Sequence, residues 1–174
     1  MIGIDFTEAM IAKARTNAEN LGFNNVEFRH GDIEHIPVTT ESADVVVSNC
    51  VLNLVPNKHN VFSEIFRILK PGGHFSISDV VLTGDLPQKI KNAAEMYAGC
   101  VSGAIQKETY LELIQINGFK NLQIQKEKVI SIPDDILLNY LNPDEILEFK
   151  SGKAGIFSIS VFAQKPADVA CTPG

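Results

Sequence analysis

The stretch from Ala43 to Val80 constrains this chain most. Ala43 to Asn49 holds Val45-Val46-Val47, an apolar β-branched run suited to a strand covered on both faces. A helical period follows from about Asn57 to Lys70, with Val61, Ile65, Ile68 and Leu69 on one face, and it stops at Pro71-Gly72-Gly73. His74 to Val80 then reads as another strand. The stretch before Ala43 has the same grammar. Met1 to Asp5 reads as a short buried strand. Thr7 is a candidate N-cap with Glu8 in the first turn, and Met10, Ala14, Ala18 and Leu21 fall at helical spacing up to Gly22. Asn25 to Arg29 reads as a second strand, closed by a Gly31-Asp32-Ile33 turn. The order strand-helix-strand-strand-helix-strand predicts an α/β fold with a parallel, doubly wound sheet.

The second half differs. Gln88 to Tyr97 and Lys107 to Asn117 read as helices, the latter closed by Gly118, and Ala98 to Ala104 joins them as a loop of small residues. Phe119 to Ile132 reads as a strand. Pro133 to about Lys150 is mixed, helical around Asp135 to Leu141, and Ile156 to Gln164 reads as a last strand. Ala167 to Gly174 is expected to be a mobile tail.

Composition narrows the function classes. The chain has 174 residues, enough for one domain of ordinary size. The net charge is −6 and the 15 basic residues are scattered, so no nucleic-acid footprint is expected. No apolar run approaches the ~20 residues that span a bilayer. The start, Met1-Ile2-Gly3-Ile4-Asp5, has no signal-like segment, which points to a cytoplasmic protein. Cys50, Cys100 and Cys171 are odd in number and widely spaced, which favours thiols, buried or binding something soft, over a disulfide framework.

Several residues are candidates for chemistry. Asp5 ends a strand just before a helix, where doubly wound folds bind ribose hydroxyls; the alternative is a loop aspartate that caps the helix. Asp32 can accept the exocyclic amine of adenine while Ile33 packs on the ring, or it can be a plain turn aspartate. Asn49-Cys50 sits at the carboxyl end of the valine-rich strand, the end where open α/β sheets bind ligands, although a buried cysteine can be core filler. Cys100 lies in a glycine-flanked loop, and glycines let a backbone approach a ligand closely. Two thiols converging on one pocket favour a soft, thiophilic centre. His30, His35, His59 and His74 show no metal-ligand spacing; a zinc site from two cysteines and His59 has no C-x-x-C element behind it.

Together these pieces resemble a known family. Ile2-Gly3-Ile4-Asp5 with Thr7 and Met10 resembles the second strand of class I methyltransferases. Gly31-Asp32-Ile33-Glu34-His35-Ile36-Pro37 resembles their adenine-binding turn, and Arg67-Ile68-Leu69-Lys70-Pro71-Gly72-Gly73 their signature before the fifth strand. The narrower resemblance is to arsenite methyltransferases. It rests on Ser48-Asn49-Cys50-Val51-Leu52-Asn53-Leu54 and Gly99-Cys100-Val101-Ser102-Gly103-Ala104, and Ser78-Asp79-Val80 looks like the family's fifth-strand end. The resemblance covers about residues 1 to 132 and implies a Rossmann-like fold that uses S-adenosylmethionine, held by Asp5, Met10, Asp32, Ile33 and Asn49. Cys50 and Cys100 would bind arsenic(III) and act as the catalytic thiolates. Arsenite or methylarsenite would enter as thiol adducts, served by a thiol reductant. The implied chemistry is direct displacement by the arsenic lone pair, with positioning as the main contribution, worth up to about 7–11 kcal/mol.

The implied organisation is a partial S-adenosylmethionine-binding core over 1–82, a helical substrate-binding insertion with Cys100 over 83–118, sheet-completing strands over 119–166 and a tail over 167–174. The family's first strand, glycine-rich loop and early cysteine have no counterpart here. The expectation is therefore a fragment or internally started chain, a short protein that pairs its open sheet edge in an oligomer, or a protein that has lost catalysis, with the first favoured. Other readings are a quinone-type small-molecule methyltransferase, a non-catalytic arsenic(III)-binding protein and an assembly subunit.

Overall fold

The computed structural model describes residues 1–97, 99–152 and 154–167, with residues 95–97 and 100 described by their backbone alone. The elements run β1 (Ile2–Asp5), α1 (Glu8–Asn20), β2 (Glu27–His30), β3 (Ala43–Asn49), α2 (Lys58–Ile68), β4 (Leu69–Thr83), α3 (Gln88–Tyr97), α4 (Lys107–Ile116), β5 (Lys120–Val129), α5 (Asp134–Leu137), α6 (Pro143–Ser151) and β6 (Gly155–Gln164). Single 3₁₀ turns occur at Leu52–Leu54 and Gly99–Val101. No helix among the described residues is long and apolar enough to cross a membrane. Of the tail expected over 167–174, residues 168–174, and with them Cys171, lie outside the described residues.

The strands form two sheets. β1 and β2 pair in parallel, and β3-β4-β6-β5 form the second sheet, in which β3 and β4 are parallel and β6 runs antiparallel to both of its neighbours. The sheets share one core: Ile4 of β1 and Ile33 lean on the same apolar cluster as Val46 of β3. In that cluster Phe75 and Ile77 of β4 meet Phe62 and Ile65 of α2 and Tyr110 and Ile114 of α4. Edge-on ring pairs, Phe62–Tyr110 at 5.4 Å and Phe75–Phe119 at 4.9 Å, order it. A second cluster on the opposite face of β4 collects Val80 and Leu82 with Ile90 and Ala94 of α3, Val101 and Ile156.

Several local expectations are corrected. Val45-Val46-Val47 is not covered on both faces: Val46 packs inward, while Val45 and Val47 are 47% and 72% exposed. Alternate residues of a strand point to opposite faces, and β3 is an edge strand with β4 as its single partner, so one face stays open. In α1 the buried residues are Ile11 and Ala18, and Met10 and Leu21 face outward; the apolar stripe is rotated by one position. Thr7 occupies the N-cap, but its hydroxyl makes no cap; the Asp5 carboxylate accepts from the Thr7 N–H at 2.7 Å instead. α2 ends at Ile68 because Leu69 is already extended and pairs with Ala43, so Pro71-Gly72-Gly73 lies within β4, with Gly72 at φ +79°. The stretch expected to be helical around Asp135 to Leu141 holds the short helix α5 (Asp134–Leu137), and a second helix, α6, follows it. Its start is a capping box in which Asn142 and Glu145 exchange side-chain-to-backbone hydrogen bonds, with Pro143 in the first turn.

Candidate functional site

Two groups of predicted residues are brought together, one at each sheet. At the first, the ends of β1 and β2 are stitched side by side. Gly31 N–H donates to the Asp5 carbonyl at 3.0 Å, and a His30 ring nitrogen lies 2.8 Å from the Phe6 carbonyl. Asp5 and Asp32 therefore sit at neighbouring carboxyl ends of parallel strands. Each uses one oxygen locally: Asp5 Oδ1 accepts from Thr7 N–H, and Asp32 Oδ1 accepts from Glu34 N–H at 2.8 Å. Asp5 Oδ1 thus fixes the chain's entry into α1 through Thr7 N–H, and Oδ2 makes no hydrogen bond among the described residues. Ile33 is half-buried against the main core, and Met10 is 50% exposed on the neighbouring helix.

The loop that carries Asp32 is held by an ion pair. Arg67 donates to the Ile36 and Val38 carbonyls, both at 2.9 Å, and to both oxygens of Glu64, at 2.7 and 2.8 Å. Glu64 in turn accepts from Ile36 N–H at 2.8 Å. The Arg67 side chain holds the Glu64 carboxyl below its ordinary range, and Glu64 raises Arg67. The Arg67 motif therefore works at a distance in sequence, by fastening the turn that follows β2.

The second group surrounds Cys50, just past the end of β3. Asn49 is exposed and pairs with Ser78 of β4. Cys50 has φ +53°, in the left-handed region that side chains other than Gly, Asn and Asp rarely adopt. Its N–H donates to the Ser78 carbonyl at 2.8 Å, and its side chain packs on the second cluster, which also contains Val101. The turn that follows, Leu52–Leu54, packs against the Gly99–Val101 turn. The Cys100 backbone lies in that second turn, and its side chain lies outside the described residues. The two cysteine-bearing segments are thus neighbours in space although far apart in sequence.

On the other face of β4 from the cluster Cys50 packs on lies a polar group around Asp79, which sequence reasoning noted only within Ser78-Asp79-Val80. Asp79 lies on the Phe75–Ile77 face of β4 and is fully buried. Its carboxyl accepts from Val80 N–H at 3.0 Å, and the Tyr110 hydroxyl lies 3.5 Å from its other oxygen. Burial pushes Asp79 up to about 6, against the opposing pull of the Val80 N–H, Lys58 and Tyr110. Tyr110 is raised well above the ordinary phenol range by its burial, by the Asp79 charge and hydrogen bond, and by Cys50. Burial lowers Lys58, partly offset by Asp79. One signal was available in the sequence: the period of two along β4 puts Asp79 on the face of Phe75 and Ile77, a carboxylate where an apolar residue belongs. Asn53 was likewise missed as a structural residue. It is 4% exposed, its Nδ2 donates to the Val80 carbonyl at 2.7 Å, and its Oδ1 has no hydrogen-bond partner among the described residues. None of the four histidines joins a metal-binding group; among the described residues no cluster of three or more His, Cys, Asp or Glu could hold a metal ion.

Residues 1–135 match the family described as a methyltransferase domain. Among curated proteins, an arsenite methyltransferase from Halobacterium salinarum is 44% identical over 124 residues, covering 71% of this chain and 32% of that protein. An arsenite methyltransferase from Aquipseudomonas alcaligenes is 36% identical over 148 residues, covering 81% and 43% respectively. The chain thus spans less than half the length of these relatives. Among solved structures, an arsenic(III) S-adenosylmethionine methyltransferase from Chlamydomonas reinhardtii superposes with a TM-score of 0.74 at 30% identity, over 95% of this chain and 55% of that one.

Proposed function

This chain belongs to the methyltransferase-domain family, with the Rossmann-like α/β fold of class I methyltransferases, and from that premise we propose that it carries the arsenic-binding and nucleoside-binding part of an enzyme that methylates thiolate-bound arsenic(III). The observation that carries the proposal is the packing of the Cys50 and Cys100 segments against each other at the carboxyl end of β3 and β4. The names of the relatives support the choice of arsenic.

The acidic pair fits the nucleoside of S-adenosylmethionine. A carboxylate at the end of β1 with an oxygen to spare matches two ribose hydroxyls, and Asp32 on the adjoining turn matches an exocyclic amine. Bound there, this cofactor supplies a methyl group on a sulfonium sulfur. Asp5 and Asp32 hold the nucleoside, Ile33 and Met10 offer it apolar surface, and Asn49 reaches the methionine part. Cys50 and Cys100, as thiolates, would hold the arsenic(III) substrate, and S-adenosylmethionine would supply the methyl group; no proton has to be removed, so the residues would contribute position and thiolate charge.

The segment 83–118 is the substrate-binding part in this reading, 1–82 the cofactor-binding part and 119–166 the strands that complete the sheet. A reducing cytoplasmic setting and a thiol reductant keep the cysteines competent, and an oligomer that pairs the open edge of β3 belongs to the same reading. The test is calorimetric titration of arsenite and of S-adenosylmethionine into the purified chain. Cys50→Ser and Cys100→Ser should each abolish arsenite binding. Unchanged affinity in either variant sinks the proposal.

A further inference from the structure

Both cysteine segments take their position from β4, at alternate residues. Cys50 N–H is bonded to the Ser78 carbonyl, Asn53 Nδ2 to the Val80 carbonyl, and Leu82 N–H to the Ile105 carbonyl of the other segment. Between the two segments there is no room for a side chain. A Cβ built on Gly103 would stand 1.8 Å from the Asn53 carbonyl oxygen and 2.9 Å from its carbonyl carbon, both backbone atoms. Gly99, the other glycine of the loop, has open space around it. The glycine at 103 therefore serves a backbone-to-backbone approach between the segments.

We propose that Gly103 and Asn53 are positioning residues that set the spacing of the Cys50- and Cys100-bearing backbone segments, and with it the ability of both cysteines to grip one arsenic atom. The proposal rests on the dithiol reading above. Bidentate binding depends on the effective concentration of the second thiol at the arsenic bound by the first, and that falls steeply once the two no longer match the span. Each thiol alone stays as reactive as before. Asn53 fixes its own segment to β4; its Oδ1 has no hydrogen-bond partner among the described residues, so removing the side chain chiefly leaves the Val80 carbonyl unsatisfied.

The experiment uses the full chain with Cys171→Ser, so that two thiols remain. Phenylarsine oxide, which bridges two thiols, is titrated by calorimetry, and the rate of single-thiol alkylation by iodoacetamide is measured in parallel. Gly103→Ala should weaken phenylarsine oxide binding at least about tenfold with alkylation rates within about twofold of the parent, and Asn53→Ala should weaken it by less, again with alkylation rates within about twofold. If Gly103→Ala does not fold, Asn53→Ala decides. Parent-like phenylarsine oxide affinity in the deciding variant overturns the positioning role while the dithiol reading stands. A parent that binds no phenylarsine oxide, or binds it equally well after Cys50→Ser, overturns both.

Discussion

Replacing Asp79 by Asn should make this protein more stable at neutral pH. Asp79 is fully buried, and its carboxyl, ordinarily near 3.8, is pushed up to about 6, chiefly by burial. The sign follows from proton counts. Between these two values the folded chain keeps a proton on Asp79 that the unfolded chain has lost, so stability falls as pH rises through that window. Above about pH 6 the full difference, about 3 kcal/mol, acts against folding; below about pH 4 it vanishes. Asn reproduces the neutral form, can still accept from Val80 N–H, and can donate to the Tyr110 oxygen. It gives up the attraction between Asp79 and Lys58, so the net gain at pH 7.5 should be about 1–3 kcal/mol. Urea unfolding followed by far-UV circular dichroism from pH 4 to 8 measures it. The difference between variant and parent isolates Asp79 from Glu64, whose lowered carboxyl makes stability fall at more acidic pH. A difference that does not change with pH, or a variant less stable than the parent at pH 7.5, refutes the reasoning.

Three further outcomes are expected. Cys50→Val should cost about 1–2 kcal/mol more than Cys50→Gly, because a β-branched side chain tolerates the left-handed backbone at φ +53° least, and denaturant midpoints of the two variants check this. Arg67→Ala should destabilise the fold by about 1–3 kcal/mol and speed amide hydrogen exchange across residues 32–40, since it removes the donors to the Ile36 and Val38 carbonyls; unchanged exchange there argues against the anchoring role. Val47→Lys should lower self-association seen by light scattering while changing stability by no more than about 0.5 kcal/mol, because Val47 stands exposed on an edge strand.

The strand and helix order was legible because each element has its own period: Val61, Ile65 and Ile68 repeat as a helix, and Phe75, Ile77 and Val81 as a strand. Cys50 was legible as a strand-end residue, but its positive φ was not, since it follows from the bond to Ser78, a residue of another strand. The α1 stripe was misplaced because Met10 and Ile11 are equally apolar, and the choice between them is made by what the helix packs on. The valine run misled for a similar reason: β-branched residues favour a strand without specifying how many of its faces are covered. Gly103 read as a point of approach to a ligand, whereas its neighbour is the Asn53 carbonyl, a contact between segments that no local pattern encodes.

The dependence of both cysteine segments on one strand has a mechanical consequence. When the sheet twists or breathes, β4 carries the Ser78, Val80 and Leu82 attachments together, so the displacement is common to both cysteine-bearing backbone segments. A pair of ligands hung from two separate strands would register every such fluctuation as a change in bite. In the dithiol reading proposed above, mounting both segments on one strand would let the sheet flex without changing the grip on arsenic.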